Sequence, residues 1–337
     1  MADTFDEIMD EIFLQLNGDA KHDIESLMSA AEKYKDHEYG KEITRAIGRK
    51  IYDVLPAERR EELDVIMQSH GDASENVLNE TMLAIQKGDM SKALSIIEPY
   101  ALKLKECHQK GICTEDAESV YYDFDSIVQY IFAAETIDTD KEIRPAIEPF
   151  AQTFGLYAAI LYEVGRHEDA IEWLKRAIRW NPMEPHYYFE LADNYKVLGD
   201  MQAARKVCDE VFDCITNAGE LARWYRDRGF ISIETGNYEL AAAEFRYSTL
   251  FEPSANAMAE LLYIKQGYGE DYTDMDIEKA AEILAANEIP LNVPERTFGL
   301  LIAIYDLLME QGEQEIASQV AASIYSLTDE DAWRDRI

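Results

Sequence analysis

The sequence predicts an all-α protein, a right-handed α-α superhelix of stacked helix pairs, and three observations support this prediction. The 337 residues include only 16 glycines and 9 prolines, so few positions interrupt a helix. Apolar residues recur at three- and four-residue intervals over most of the chain, as they do along one face of a helix. A Gly-x-x-x-x-Ala pattern recurs five times, at intervals of roughly 34–38 residues or about twice that, a range typical of helical solenoids.

The first 70 residues are expected to be helical from the outset. Their apolar stripes run from Phe5 to Leu16, Ile24 to Tyr34, Ile43 to Val54 and, after Pro56, from Leu63 to Met67. The segment Asn17-Gly18-Asp19 separates the first two stripes as a helix stop followed by a new N-cap. Residues 1–70 are therefore predicted to be an N-terminal helical region, which is a cap, a set of divergent repeats or a separate bundle.

The segments on either side of the central region are predicted from weaker patterns. Residues 71–150 are expected to hold degenerate helical repeats, with one stripe from Ala93 to Leu104 and another from Val120 to Ile131. No alternating segment bounded by hairpin turns predicts a β-strand. Residues 256–337 are expected to hold a degenerate repeat with a loop-rich insertion over 265–280, followed by a C-terminal capping hairpin and an acidic tail.

The recurring pattern has a physical explanation. Glycine at the end of one helix adopts the left-handed conformation that closes the helix without a penalty from Cβ. Alanine five residues later leaves room for the two helices to approach closely. The five glycine–alanine pairs are Gly88–Ala93, Gly165–Ala170, Gly199–Ala204, Gly236–Ala241 and Gly312–Ala317. A single hairpin of this kind is not stable alone, so neighbouring hairpins are expected to bury one another.

The central third of the chain carries the fullest version of this unit. Over 151–184 its defining positions hold Phe154, Tyr157, Ala158, Leu161, Ala170, Leu174, Ala177 and Pro182. This arrangement resembles the tetratricopeptide repeat, a helix–turn–helix of about 34 residues. The resemblance is strong over 151–255 and weaker around 74–107 and 298–326. Arg228 and Ser232 depart from the family pattern, which has leucine and tyrosine at their positions.

The resemblance implies a concave groove, lined by the first helix of each pair, that receives a peptide or a partner helix. The groove positions give eight candidate partner-binding residues: Tyr162, His186, Phe189, Asp193, Lys196, Arg223, Arg226 and Phe230. Arg223 and Arg226 are expected to pair with a carboxylate of the partner, so an acidic segment is one candidate partner. Tyr162, Phe189 and Phe230 are expected to supply apolar contact area.

The function that the resemblance implies is that of a non-catalytic adaptor or scaffold that binds proteins or peptides. Two alternatives stay open: a regulator whose superhelix closes on a peptide, and an enzyme built on a helical-repeat scaffold. The sequence has no phosphate-binding loop, nucleophile elbow or zinc-protease motif. No catalytic residue, metal site or cofactor is therefore predicted.

Charge and cysteine content narrow the expected partners and location. With 32 basic and 67 acidic residues, the formal net charge is −35, which disfavours nucleic acid and anionic membranes as partners. No membrane-spanning run or signal peptide is recognised. The four cysteines are too few for a disulfide framework, so a cytoplasmic protein is expected. The oligomeric state is left open.

Overall fold

The computed structural model describes residues 4–35, 37–56, 59 and 74–337 and confirms the predicted all-α repeat fold. The first helices are α1 (Phe5–Phe13), α2 (Ala20–Tyr34), α3 (Gly40–Val54), α4 (74–86) and α5 (Met90–Gln109). A mixed segment contains β1 (Ser119–Tyr122), α6 (Ile127–Thr136) and β2 (Glu142–Pro145). The central helices are α7 (Phe150–Glu163), α8 (His167–Trp180), α9 (Pro185–Val197), α10 (Met201–Val211), α11 (Ala218–Glu234) and α12 (Tyr238–Phe251). The last helices are α13 (Ala255–Tyr268), α14 (Ile277–Ala286), α15 (Glu295–Gln311), α16 (Gln314–Thr328) and α17 (Asp331–Arg334).

All five glycines of the recurring pattern close a helix in the predicted way. Their φ angles lie between +73° and +82°, in the left-handed region. In each case the residue after the glycine donates its N–H to the carbonyl five positions earlier, at 2.8–3.0 Å, which is the Schellman arrangement. The five alanines of the pattern are completely buried. The structure therefore confirms the prediction that glycine ends the first helix and that the small alanine lets the second helix pack closely against it.

The three central pairs stack on one another. α7 packs against α8, α9 against α10 and α11 against α12, and the second helix of each pair contacts the next pair. Aromatic rings fill the first of these interfaces: Phe150 and Trp180 stack with their centroids 4.0 Å apart, and Trp173 contacts Phe154 and Tyr157. The resulting apolar core is continuous and reaches the C-terminal helices.

One buried carboxylate accounts for the two departures from the repeat pattern. Glu244 on α12 is completely buried and accepts hydrogen bonds from Ser232 Oγ at 2.6 Å and from Arg228 Nε at 3.2 Å. Arg205 Nη1 of the preceding pair lies 3.8 Å from the same carboxylate. Burial raises the pKa of Glu244, and Ser232 and the two arginines oppose that rise. Arginine and serine thus stand in place of leucine and tyrosine and satisfy this carboxylate.

The stripe predicted from Val120 to Ile131 is only partly helical. Val120 lies in β1, and α6 begins at Ile127, where Ser126 accepts the Gln129 N–H as an N-cap. β1 and β2 pair in parallel, from Ser119 opposite Glu142 to Tyr122 opposite Pro145. The prediction that this region has no strand is wrong, because the short run Ser-Val-Tyr-Tyr combines β-branched and aromatic residues that favour extended backbone. Within 71–150, this strand–helix–strand segment stands in place of a helix pair.

The C-terminal hairpin of α15 and α16 lies along one edge of the central stack. α15 packs against α6, and Arg296 Nη2 donates to the Glu135 carbonyl at 2.6 Å. Nearby, Tyr225 donates its hydroxyl to the Pro290 carbonyl at 2.6 Å, and the Ala218 N–H bonds to Ser326 Oγ at 3.1 Å. This hairpin and the strand–helix–strand segment therefore bridge parts of the chain that are about 160 residues apart.

Two further expectations concern the predicted insertion and the N-terminal helical region. The loop of the predicted 265–280 insertion is shorter than expected, because α13 continues to Tyr268 and the next helix begins at Ile277. Helices α1 to α3 form a core of their own, and Arg49 links them to Asp116 and Glu118 at 3.4 and 2.8 Å. The fourth predicted stripe, Leu63 to Met67, lies outside the described residues.

Candidate functional site

A cavity of about 500 Å³ opens between α4, α7 and α9, on the first helices of the first two central pairs. We call it the α7 groove. Its apolar lining includes Leu78 and Met82 from α4, Leu156 and Ala159 from α7, and Tyr187 from α9. Cavities of roughly 300–1,000 Å³ with an apolar lining and few polar groups are typical of ligand sites.

Small residues on α7 give the groove its depth. Gly155 and Ala159 are four residues apart, so both lie on the same face of the helix. A Cβ atom at Gly155 would overlap Cε1 of Tyr187, so only glycine allows this ring to pack against the α7 backbone. Ala159 is half-buried and projects only a methyl group into the groove.

The wall formed by α4 is apolar and adaptable. Leu78 and Met82 are one helical turn apart and both line the groove. Met82 is 44% exposed although it is a large apolar side chain. Methionine has three rotatable bonds and fits apolar partners of different shapes. This wall therefore offers apolar area that the described residues do not cover.

Three charged candidates from the sequence, Asp193, Lys196 and Arg223, meet in one ion-pair network beside the groove. Lys196 Nζ lies 2.5 Å from Asp193 and 2.8 Å from Asp227, and Arg223 Nη2 lies 2.9 Å from Asp193. Burial lowers the pKa of Lys196, but the two aspartates outweigh this effect and raise it. The positive charges of Lys196 and Arg223 are thus neutralised by carboxylates of the chain itself.

Glu190 is the charged residue that lines the groove on the α9 side. Within the described residues its carboxylate accepts no hydrogen bond, and the nearest cations are His186 Nε2 at 3.7 Å and Arg223 Nη2 at 4.0 Å. Burial raises the pKa of Glu190, the charges of His186 and Arg223 oppose that rise, and the negative charges of Asp193 and Glu163 add smaller contributions to it. A cation bound beside Glu190 would stabilise its charged form.

The aromatic candidates and Arg226 are less accessible than the sequence implied. Phe189 is only 2% exposed and lies beneath the Arg223 guanidinium, 4.8 Å from its centre. Phe230 and Tyr162 are half-buried. Arg226 pairs at 2.9 Å with Glu252, which follows α12, so it does not act together with Arg223. Of the eight candidates, only His186 lines the groove.

Sequence reasoning missed the α4 wall of the groove and two α9 residues that line it. Tyr187 and Glu190 lie on the predicted first helix α9, but not at the positions assigned to the groove. Leu78 and Met82 lie on α4, where only half of the repeat pattern is present. Their spacing of four residues is the one signal in the sequence that could have identified this wall.

The described part of the chain offers neither a metal centre nor a membrane span. It holds no group of three or more His, Cys, Asp or Glu side chains arranged to bind a metal ion. None of its helices has the length and apolar character needed to span a membrane.

In a comparison with known protein families, residues 151–182 match the family model described as tetratricopeptide repeat. Among solved structures, the chain is similar to the crystal structure of a tetratricopeptide repeat protein from Parabacteroides merdae ATCC 43184. That similarity has 13% sequence identity and a TM-score of 0.38, and it covers 98% of this chain and 96% of that one. No curated protein matches the chain.

Proposed function

We propose, on the basis of the tetratricopeptide repeat matched at residues 151–182, that the chain is a non-catalytic adaptor or scaffold that binds a protein or peptide in the α7 groove. Tetratricopeptide repeats generally mediate protein–protein interactions. The observation that carries the proposal is the groove itself. It is open, apolar and about 500 Å³ in volume, on the helix face that such repeats present to partners.

The charged side chains near the groove support binding rather than catalysis. Lys196, Arg223, Asp193 and Asp227 pair with one another, so their charges stabilise the interface between α9 and α11. A general acid or base needs a group free to exchange a proton with a substrate at hydrogen-bonding distance. An enzyme is therefore the least favoured of the three functions.

Particular contacts weigh against a closing regulator and against an acidic partner. A superhelix that closes on its ligand would have to move pairs that α6 and α15 already bridge through Arg296 and Glu135. An acidic partner segment would have to displace the carboxylates that now pair with Arg223 and Arg226. The cytoplasmic location also stays a proposal, supported by four cysteines none of which forms a disulfide with another.

The test is selection of binders to the full chain from a displayed library of random peptides, followed by a variant that fills the groove. Ala159→Tyr places a ring in the cavity without changing the net charge. The matched control is Gln202→Tyr, on the exposed face of α10. We expect the selected peptides to bind the control as they bind the wild type, and to lose about tenfold or more in affinity for Ala159→Tyr.

Two results would contradict the proposal. One is a selection that yields no binder, and the other is a set of binders that Ala159→Tyr and Gln202→Tyr affect equally. Thermal unfolding of both variants shows whether each is folded, since a ring in an open cavity does not disturb the core.

A further inference from the structure

We propose that the α7 groove takes a basic amphipathic segment of its partner, in which one large apolar side chain enters the cavity and flanking Lys or Arg residues meet the carboxylates around it. This inference rests on the proposed function and specifies the chemistry of the partner. It differs from the acidic segment expected from the sequence.

The apolar part of the argument comes from the lining. Leu78, Met82 and Leu156 line the same cavity as the methyl group of Ala159, and none of these side chains carries a polar atom that forms strong hydrogen bonds. Removing this surface from water stabilises a complex in proportion to its area. A partner segment made only of charged residues would leave the cavity unfilled.

The charge around the cavity is negative. Glu75 on α4 and Glu190 on α9 both line the groove, so carboxylates stand on different walls. The apolar floor is therefore bordered by acidic groups from α4 and α9.

The nearby cations do not offset this charge. Lys196 lies between Asp193 and Asp227, and Arg223 pairs with Asp193 while staying 4.0 Å from Glu190. His186 is the remaining basic group beside Glu190, and it carries a full charge only when it is protonated. Counting the groove border and the network together, four carboxylates face two permanent cations: Glu75, Glu190, Asp193 and Asp227 against Lys196 and Arg223.

The excess of carboxylates over cations favours a basic partner segment over an acidic one. A carboxylate entering the groove would meet Glu190 before it reached a free cation, and like charges at close range oppose binding. An ammonium or guanidinium group could instead donate a hydrogen bond to Glu190, which His186 at 3.7 Å and Arg223 at 4.0 Å do not. The formal net charge of −35 adds long-range attraction for a basic segment.

The experiment compares three synthetic peptides of equal length on the full chain by fluorescence anisotropy. The first alternates leucine with lysine at helical spacing, the second replaces each lysine with glutamate, and the third replaces each leucine of the first with serine. Each peptide is measured on the wild type, Glu190→Gln, Ala159→Tyr and the matched control Glu168→Gln, which removes an exposed carboxylate on α8.

We expect the leucine–lysine peptide to bind at least about tenfold more tightly than the other two. Glu190→Gln should weaken it about two- to fivefold and reduce its dependence on salt, while Glu168→Gln should leave it unchanged. Ala159→Tyr should weaken it by about tenfold or more.

The outcomes separate this inference from the proposed function. If the leucine–glutamate peptide binds best and loses its binding in Ala159→Tyr, the groove is a peptide site and the basic partner is wrong. If the serine–lysine peptide binds as well as the leucine–lysine peptide, attraction to the acidic surface explains the binding and the inference is overturned. If Ala159→Tyr changes the binding of none of the peptides and of no selected binder, both proposals fail.

Discussion

Gly155 determines how closely the first two central pairs approach, because the ring of Tyr187 occupies the space where a Cβ atom would lie. We expect Gly155→Ala to destabilise the fold by about 1–3 kcal/mol, the usual effect of overpacking. Urea unfolding measures this directly. The matched control is Gly299→Ala on α15, where no atom lies within 4 Å of the new methyl group. Equal effects of the two substitutions would show that the contact with Tyr187 does not matter.

Asp123 gives a prediction about pH. Its carboxylate accepts the Ala151 N–H at 2.7 Å, at the start of α7. Burial raises its pKa to about 7, and the charge of Asp125 adds to the rise, whereas the ordinary value is 3.8. The folded chain therefore holds a proton that the unfolded chain releases, and the stability associated with it is lost as the pH rises from about 4 through about 7.

We expect Asp123→Asn to reduce this loss, since the amide oxygen still accepts the Ala151 N–H and carries no charge. The difference in unfolding free energy between about pH 5 and about pH 8.5 should shrink by on the order of 1 kcal/mol. Glu168→Gln serves as the control for a general change in net charge. An unchanged pH dependence in Asp123→Asn would mean that another buried carboxylate dominates it.

At the scale of the helix pair, the contact between α11 and α12 depends on Glu244 and its donors. Arg228→Leu restores the residue of the family pattern, yet we expect it to destabilise the fold by about 3–5 kcal/mol, because Glu244 loses a partner while it stays buried. Adding Glu244→Leu should recover most of this loss. The double-mutant cycle measures the coupling between the two positions. Independent, additive effects would contradict the proposed role of Arg228.

The helix pairs also show what the sequence could and could not predict. The glycine–alanine turns depend on residues five positions apart, so a local pattern was enough to place them. Gly155 against Tyr187, and Arg228 against Glu244, bring together residues that are 32 and 16 positions apart on different helices. Tertiary packing determines which residues come into contact here, and the periodicity of the sequence carries no information about it. The ion-pair network is not predictable for the same reason, because the sequence pattern does not show that Arg223 and Lys196 lie beside Asp193 and Asp227.

At the scale of the whole molecule, the contact between α6 and α15 holds the strand–helix–strand segment against the C-terminal hairpin. Leu300 on α15 lines a small cavity with Phe132 and Thr136 of α6. We expect Leu300→Asp to speed amide hydrogen exchange in α6, because a carboxylate partly removed from water weakens this packing. Met309→Asp, on the exposed side of α15, is the control and should leave α6 unchanged. Equal exchange in α6 for both variants would show that α15 does not stabilise it.

The sequence predicted the order of helices but not this contact. Apolar residues at short spacing fit a helix and a buried strand about equally well, so the stripe from Val120 to Ile131 predicts one helix where the structure has a strand followed by a helix. The position of α15 against α6 then depends on a segment whose own structure was mispredicted. A wrong prediction for this one segment therefore also leaves its packing against α15 unpredicted.

The bridge between Glu135 and Arg296 has a consequence for cooperativity. In an open solenoid each repeat touches only its neighbours, so terminal repeats can fray one at a time and unfolding proceeds in steps. Here the segment before the first central pair is held by the hairpin that follows the last one. Fraying of α6 or of the C-terminal hairpin must break this contact, and the central pairs and the C-terminal hairpin should melt in a single transition.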